Sequence, residues 1–324
     1  MAHAIRIHQP GGPEVMQWEE LAVGDPGPGQ ARVRHTAIGV NYIDTYHRSG
    51  LYKLPMPTGL GSEGAGVVEA VGPGVTDVKA GDRVAYCGGA PGAYAEGRVM
   101  PVERLVKLPD GVAERTAATL MLKGLTTQYL FRQTYPLKAG ETILFHAAAG
   151  GVGLIACQWA RALGVTMIGT VGSDEKAAIA RAHGCTHTIV YTREDFVARV
   201  KELTGGKGVP VVYDGVGKAM FPASLDCLVP RGLYVNFGNA SGPVPPFDLL
   251  MLSAKGSLYV TRPTLVTYTA TRTALLAMAD EMFGLVKAGK IVNEARQTYA
   301  LKDAAQAHRD LEGRKTTGST LLIP

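Results

Sequence analysis

The sequence predicts an α/β fold, in which a doubly wound parallel sheet of about six strands accompanies a second, mostly antiparallel β domain. Short apolar runs alternate with helical patterns from residue 142 onward, which favours a parallel sheet covered by helices on both faces. The first 120 or so residues differ, because strand-like runs there are separated by frequent glycine turns. A chain of 324 residues also exceeds the usual size of one hydrophobic core, so two domains are expected.

The α/β region reads as repeated units of strand, turn and helix. Strands are predicted at residues 142–146, 166–171, 188–190, 209–213, 233–237 and 257–260. Helices are predicted at residues 151–163, 175–183 and about 196–203. Gly164 and Gly184 follow the first two helices, where glycine readily adopts the left-handed conformation that ends a helix.

The remaining segments predict the β domain and its closing elements. Strands are expected at residues 32–38 and 66–71, and eleven glycines lie between Gly59 and Gly97. Turn signals at such short intervals are typical of a twisted antiparallel domain. Helices are expected at residues 273–287 and 302–311, followed by Gly289 and Gly313, and residues 321–323 form a last strand.

Composition excludes several classes of protein. The chain is 46% hydrophobic and 19% charged, which argues against disorder, and it lacks the run of about 18 apolar residues that a membrane span needs. Its N-terminus has no signal-peptide pattern, and its four cysteines are too scattered for a metal hook or redox pair, so a cytoplasmic protein is expected. The net charge of +5 is dispersed, which favours a phosphate-bearing small molecule over nucleic acid.

The most informative segment is the small-residue turn from Ala147 to Gly153, between a predicted strand and a predicted helix. This context is the one that a dinucleotide-binding turn requires. Gly150 and Gly151 would let the backbone approach a pyrophosphate, and Gly153 would let the helix pack against the strand. The segment departs from the usual G-x-G-x-x-G pattern in having Ala148 at the first glycine position.

The end of the second α/β strand favours NADP(H) over NAD(H). An NAD site usually carries an acidic residue there, to bind the ribose hydroxyls. This strand instead ends at Gly172 and Ser173, whereas Asp174 and Glu175 fall in the first turn of the next helix. Lys176 follows and would reach a 2′-phosphate, although an exposed lysine on a helix face is the plain alternative.

The run from Leu144 to Arg161, LFHAAAGGVGLIACQWAR, resembles the zinc-independent quinone oxidoreductases, the ζ-crystallin-like branch of the medium-chain dehydrogenase/reductase superfamily. The resemblance extends nearly end to end. Its other matching segments are Gly11–Val15, Asn41–Tyr46, Arg48–Tyr52, Gly61–Gly66, Lys123–Thr126 and Val260–Pro263.

The resemblance implies a GroES-like catalytic domain made of residues 1–122 and 265–324, a Rossmann NADP(H)-binding domain at 123–264, and a homodimer. It also implies that no metal is bound. Zinc-dependent members of the superfamily use Cys and His ligands at the positions occupied here by Asn41 and Ser62, and zinc sites need such ligands in convergent geometry. Without zinc, the chain lacks the Lewis acid that alcohol oxidation uses.

The resemblance also assigns site residues. It places four residues around the nicotinamide and substrate, namely Asn41, Tyr46, Tyr52 and Arg262. Asn41 would donate through its amide, and the tyrosines would donate or stack on a planar ring, with packing alone as the alternative for both. The cofactor contacts, with the turn residues included, are Asn41, Thr127, Ala149, Gly150, Gly151, Val152, Gly153, Gly172, Ser173, Lys176, Tyr191, Phe237, Gly238, Asn239 and Arg314.

The resulting hypothesis is the NADPH-dependent reduction of a quinone or another small electrophilic acceptor, by transfer of hydride or of single electrons. No general acid is assigned, because bulk water is an adequate proton source. One alternative is an enone or 2-alkenal double-bond reductase on the same fold. The non-enzymatic alternative is an NADPH-binding structural or RNA-binding protein, for which the sequence offers no RNA-binding motif.

Overall fold

The computed structural model describes every residue from Met1 to Pro324, and the chain forms two compact units. The first unit contains Met1–Leu125 and Tyr268–Pro324, and the second contains Thr126–Thr267. Each unit encloses a hydrophobic core of its own.

Sixteen strands and ten α-helices make up the two units. The strands are β1 (Ala2–Ile7), β2 (Gln17–Leu21), β3 (Gln30–Val40), β4 (Thr58–Gly59), β5 (Glu63–Val71), β6 (Arg83–Cys87), β7 (Gly97–Pro101), β8 (Val106–Lys107), β9 (Thr142–Phe145), β10 (Thr166–Val171), β11 (His187–Val190), β12 (Val209–Asp214), β13 (Leu228–Asn236), β14 (Tyr259–Thr261), β15 (Ala295–Ala300) and β16 (Ser319–Ile323). The helices are α1 (Tyr42–Ser49), α2 (Glu114–Ala118), α3 (Met121–Tyr129), α4 (Gly151–Ala162), α5 (Asp174–Ala182), α6 (Phe196–Leu203), α7 (Leu250–Ala254), α8 (Leu265–Tyr268), α9 (Arg272–Lys287) and α10 (Ala304–Glu312).

The second unit is built on a six-stranded sheet in the order β11-β10-β9-β12-β13-β14, with every pair parallel. This order, in which the chain works outward from β9 in both directions, is that of a Rossmann sheet. Its strands are apolar and buried, as Ile143, Leu144 and Phe145 of β9 illustrate. The predicted α/β fold class is therefore confirmed.

Strand β13 is longer than the sequence predicts. The expected strand covered residues 233–237, whereas β13 begins at Leu228. Its pairing with β12 shifts register between Val209 and Val211, so the ladder is interrupted by an irregularity. Arg231 adopts a positive φ of 62° in that interruption. The irregularity interrupts the apolar run, so the sequence predicts only the second half of the strand.

The first unit contains two sheets. One has three strands in the order β2-β1-β4, and the other has seven, in the order β15-β16-β3-β5-β6-β8 with β7 also paired to β3. All pairs are antiparallel except β15 with β16. The core between these elements includes Ile38, Val68, Val84 and Leu322, all of which are buried. The predicted second, mostly antiparallel domain is likewise confirmed.

Two further properties of the chain follow from the structure. None of its helices combines the length and the apolar character that crossing a bilayer would require. All four cysteines are buried and unpaired.

Candidate functional site

The glycine turn of the second unit has the geometry of a phosphate-binding turn. Strand β9 ends at Phe145, Ala147 turns the backbone with a φ of 57°, and α4 begins after its N-cap, Gly150. No side chain caps this end of α4, so a ligand can accept hydrogen bonds from the first backbone N–H groups. A Cβ at Gly153 would collide with the carbonyl groups of Ala147 and Ala148, which explains the glycine there.

The alanine at position 148, where a glycine is usual, is explained by its neighbour across the sheet. Ala148 is buried and its N–H donates to the Thr170 carbonyl at 3.0 Å. A Cβ built on Gly169 of β10 would lie 2.5 Å from Cβ of Ala148. The space for the Ala148 side chain is therefore left by Gly169, a glycine on the adjacent strand.

The carboxyl end of β10 presents the residues expected to bind the adenosine half of a dinucleotide. The hydroxyl of Ser173 caps α5 by accepting from the Lys176 N–H at 3.3 Å. The Tyr191 hydroxyl oxygen lies 3.1 Å from the Cβ position of Gly172, so the tyrosine covers this glycine. Parallel strands gather their carboxyl ends on one edge, which brings Gly172, Ser173, Lys176 and Tyr191 to the same edge as the glycine turn.

The carboxylate of Asp174 is already paired with a cation. Arg193 donates two hydrogen bonds to it, at 2.5 and 2.6 Å, and this contact lowers the pKa of Asp174. The pair reduces the negative potential that Asp174 would otherwise place beside a 2′-phosphate. Sequence reasoning missed Arg193, since it lies 19 residues from its partner in a loop after β11.

The other predicted site residues of the second unit comprise four cofactor contacts and the predicted catalytic residue Arg262. Thr127 is buried on α3, Phe237, Gly238 and Asn239 follow β13, and Arg262 follows β14 and donates to the Pro263 carbonyl at 3.0 Å. Asp214 fixes the neighbouring backbone by accepting from the N–H groups of Val216 and Gly217 at 2.6 and 3.1 Å.

In the first unit, Asn41, Tyr46 and Tyr52 come together around helix α1. Asn41 is the N-cap and forms a capping box with Asp44, in which each side chain faces the backbone N–H of the other. The rings of Tyr46 and Tyr52 pack edge to face with their centroids 5.2 Å apart. Gly50 ends the helix in the left-handed conformation, with φ of 80°. The helix therefore presents an amide and two aromatic rings from one short segment.

Two buried charged residues that the sequence analysis left without a role contact Asn41 or its neighbours. The carboxylate of Glu63 accepts from Nδ2 of Asn41 at 2.8 Å and from Nζ of Lys123 at 2.7 Å. Glu63 and Lys123 belong to segments that carry the family resemblance, but their sequence separation of 60 residues conceals the contact.

Asp44 is the second buried acid near Asn41. It accepts from the Asn41 N–H at 2.9 Å, the Ser62 hydroxyl at 2.6 Å and the Tyr94 hydroxyl at 3.0 Å. Complete burial nevertheless raises its pKa to about 6, with the charge of Glu63 acting in the same direction. Both positions that hold zinc ligands in zinc-dependent relatives, Asn41 and Ser62, are thus hydrogen-bonded to carboxylates here.

Arg314 lies in the first unit, directly after α10, where its backbone adopts a φ of 58°. No group of three or more His, Cys, Asp or Glu side chains in the chain is arranged to hold a metal ion.

Comparisons with known proteins assign the family. Residues 27–110 match the alcohol dehydrogenase GroES-like domain, and residues 151–280 match the family described as zinc-binding dehydrogenase. The chain is 61% identical to a quinone oxidoreductase of Pseudomonas aeruginosa and 48% identical to a 2-haloacrylate reductase of a Burkholderia species; these alignments cover all of this chain and 100% and 99% of the relatives. The crystal structure of Escherichia coli quinone oxidoreductase complexed with NADPH superposes with a TM-score of 0.98 at 52% identity, with both chains fully covered. The chain therefore belongs to the quinone oxidoreductase family of the medium-chain dehydrogenase/reductase superfamily.

Proposed function

We propose that this protein catalyses the NADPH-dependent reduction of quinones without a metal ion. The observation that carries the proposal is full-length identity of 61% and 52% with two quinone oxidoreductases, one of which was crystallised with NADPH. The uncapped first turn of α4 and the glycine at 153 fit the pyrophosphate of such a cofactor. Bound NADPH supplies the hydride or electrons.

The residues of the second unit are proposed to hold the cofactor. Ala149 to Gly153 would bind the pyrophosphate through backbone N–H groups. Ser173 and Lys176 would bind the 2′-phosphate, with help from Arg193, and Arg314 is a further proposed cofactor contact. Gly172 and Tyr191 would contact the adenosine, and the remaining proposed contacts are Thr127, Phe237, Gly238 and Asn239.

The proposed catalytic residues are Asn41, Tyr46, Tyr52 and Arg262. Asn41 and Arg262 are donors suited to an oxygen that gains negative charge. The edge-to-face pair of Tyr46 and Tyr52 offers rings for packing against a planar acceptor and hydroxyls for hydrogen bonding. The proposed domain division is a GroES-like catalytic domain of residues 1–122 and 265–324 and a Rossmann NADP(H)-binding domain of residues 123–264, to which Arg262 belongs.

A second candidate function is the reduction of a carbon–carbon double bond conjugated to a carbonyl group. The 2-haloacrylate reductase that is 48% identical to this chain supports it. Both reactions deliver hydride to an electron-poor acceptor, so one scaffold accommodates either.

Turnover assays separate the two functions. Purified protein with NADPH is expected to reduce 1,4-benzoquinone and 1,2-naphthoquinone faster than 2-alkenals or 2-chloroacrylate, at matched concentrations. Preferential turnover of the alkenal or haloacrylate would reverse the ordering. Elemental analysis of the active enzyme is expected to find no stoichiometric zinc.

A homodimer in the cytoplasm is proposed as the working form. Strand β14 is the last strand of its sheet, and Tyr259 and Val260 on it are exposed. The nearby segments add the exposed apolar residues Leu249, Leu250 and Val266. An unpaired apolar edge of this kind favours pairing with a second chain. The four buried and unpaired cysteines fit a reducing compartment, where disulfides are rare.

A further inference from the structure

A buried cluster of Asn41, Glu63 and Lys123 lies at the start of helix α1. Glu63 is fully buried, and Asn41 and Lys123 are each 5% exposed. Oε1 of Glu63 accepts from both Nδ2 of Asn41 and Nζ of Lys123, while Oε2 accepts from the Leu122 N–H at 2.7 Å. A buried charge is costly unless it is paired and hydrogen-bonded, and Lys123 meets that requirement here.

The chain makes room for this carboxylate. Gly39 of β3 pairs with Glu63 of β5, and a Cβ at Gly39 would collide with the Glu63 carboxylate and the Ala118 carbonyl oxygen. The glycine is therefore needed if the glutamate is to reach Asn41. The arrangement depends on three positions that are distant in the sequence, which have to hold a glycine, a buried acid and a buried base.

The cluster fixes the orientation of the Asn41 amide. An ionised carboxylate only accepts hydrogen bonds, so the Asn41 atom facing Glu63 has to be the nitrogen. The side chain also faces the Asp44 N–H in the capping box, a place for its oxygen. The amide cannot rotate without losing its hydrogen bond to Glu63, and a single N–H of Asn41 is left without an assigned acceptor.

We propose that Glu63 and Lys123 are positioning residues for quinone reduction, which hold Asn41 so that its remaining N–H donates to the acceptor oxygen that gains charge. This inference rests on the proposed function. Glu63 acts on Asn41 by hydrogen bonding, and Lys123 acts one step further away by pairing with the Glu63 carboxylate and holding it in place. Neither needs to touch the substrate.

Two double variants test the role of the hydrogen-bond acceptor. E63L/K123M removes both charges and the acceptor, whereas E63Q/K123M removes both charges but keeps one side-chain oxygen within reach of Asn41 and of the Leu122 N–H. Loss of an aligned donor to a developing oxyanion typically lowers kcat by about 100-fold, so a decrease of at least tenfold in kcat is expected for E63L/K123M. E63Q/K123M should lose less kcat than E63L/K123M, because its single amide oxygen still accepts a bond, for which the Leu122 N–H competes with Asn41. The Kd of NADPH, for which Asn41 is also a predicted contact, should change by a smaller factor than kcat in both variants.

The pathway through Asn41 is tested by a double-mutant cycle. The decrease caused by E63L/K123M should disappear in the N41A background, since the group being positioned is then absent. E114Q, which breaks the ion pair of Glu114 with Arg83 in the same unit, serves as a control that leaves kcat unchanged. Additive losses, equal losses in the two double variants, or no loss in either would overturn the inference.

A spectroscopic measurement separates this inference from the proposed function. The side-chain amide signal of Asn41, in protein labelled with ¹⁵N-asparagine and assigned by its loss in N41A, should shift in E63L/K123M and shift less in E63Q/K123M. If wild type fails to reduce any quinone, the proposed function is wrong whatever the signal does. If wild type is active but E63L/K123M changes neither the Asn41 amide signal nor kcat, the positioning role is wrong.

Discussion

At the scale of single residues, the phosphate turn shows how space is shared between neighbours. The usual fingerprint places a glycine where this chain has Ala148, but the backbone there needs no positive φ. The positive φ falls on Ala147. The space that the methyl group of Ala148 needs is left by Gly169 on β10, which has no side chain. A departure from a motif can therefore be harmless when a residue on an adjacent strand compensates for it.

We expect Gly169→Ala to destabilise the second unit and weaken NADPH binding. Its Cβ would lie 2.5 Å from Cβ of Ala148 and 2.7 Å from Sγ of Cys185, and overpacking of this kind costs about 1–3 kcal/mol. Urea unfolding and NADPH titration measure the two effects. The control is Gly284→Ala on α9, which has open space around its Cβ position and should stabilise its helix by about 1 kcal/mol. If Gly169→Ala is as stable as wild type, Ala148 and Cys185 make room for the added methyl group at no cost in stability, and the prediction is wrong.

Cofactor preference is also decided by single residues. Lys176→Ala is expected to raise the Kd of NADPH by about tenfold or more and to change that of NADH little, because a charge-assisted hydrogen bond to phosphate is worth roughly 1.5–3 kcal/mol. Arg193→Ala should act in the same direction, since it leaves the carboxylate of Asp174 without its partner. Lys207→Ala, just before the amino end of β12, should leave both constants unchanged. Fluorescence titration of both cofactors provides the measurement, and equal NADPH and NADH affinities in wild type would contradict the assignment.

The site residues that sequence reasoning found share one property, which is that their signal is local. Gly150, Gly151 and Gly153 lie in one strand–turn–helix segment, whose function depends on neighbours within a few residues. Sequence reasoning gave Glu63 and Lys123 no role because their contacts are not local. Glu63 lies 22 positions from Asn41 and 60 from Lys123, and the fold brings the three together. The roles of Asn41, Tyr46, Tyr52 and Arg262 came from family resemblance and remain predictions.

At the scale of elements, the two units differed in how much the sequence revealed. Strands of a parallel sheet are buried on both faces and form continuous apolar runs, so β9, β10 and β12 were expected within a residue of their bounds. The antiparallel unit depends on long-range pairing, such as β16 with β3, and many of its strands are short. Of its ten strands, only β3, β5 and β16 were anticipated, each shorter than observed.

The free edge of β14 carries a prediction about assembly. Wild type should have a mass twice the 34.2 kDa of one chain in light scattering, and Tyr259→Glu should weaken the association by at least 100-fold. The reason is that a glutamate on the edge strand would lose its hydration in the interface without gaining a partner. Leu21→Glu, at an exposed site on β2 in the other unit, is the matched control and should remain dimeric. A monomeric wild type at micromolar concentration would contradict the proposed dimer.

At the scale of the whole molecule, the first unit carries a chain of buried polar groups that links sequence-distant segments. Arg48 donates to Nδ1 of His308 at 2.9 Å, Nε2 of His308 lies 3.0 Å from the Tyr94 hydroxyl, and that hydroxyl donates to Asp44. A guanidinium only donates, so His308 has to be neutral with its proton on Nε2. The network therefore joins α10 to α1 but cannot pass a proton beyond the histidine, because Arg48 does not release one.

These buried groups make stability depend on pH in a direction that can be worked out. Burial and Arg48 lower the pKa of His308 to about 3, and burial lowers that of His35 to about 4. Between pH 4 and about 6.5 the unfolded chain therefore binds protons that the folded chain does not, and stability rises with pH. Asp44 opposes this effect, because its pKa is raised to about 6 and its folded form holds a proton more tightly.

Burial also lowers the pKa values of His146 and His47, which act in the same direction as His308 and His35, so the free energy of unfolding should rise with pH between about pH 4 and 6 despite the opposing effect of Asp44. Urea unfolding at several pH values measures this slope. His308→Gln keeps a donor and an acceptor for Tyr94 and Arg48 but does not titrate, so it should flatten the slope. Asp44→Asn removes the opposing group and should steepen it. A slope that is flat in wild type and unaffected by either substitution would show that these groups titrate alike in the folded and unfolded chain.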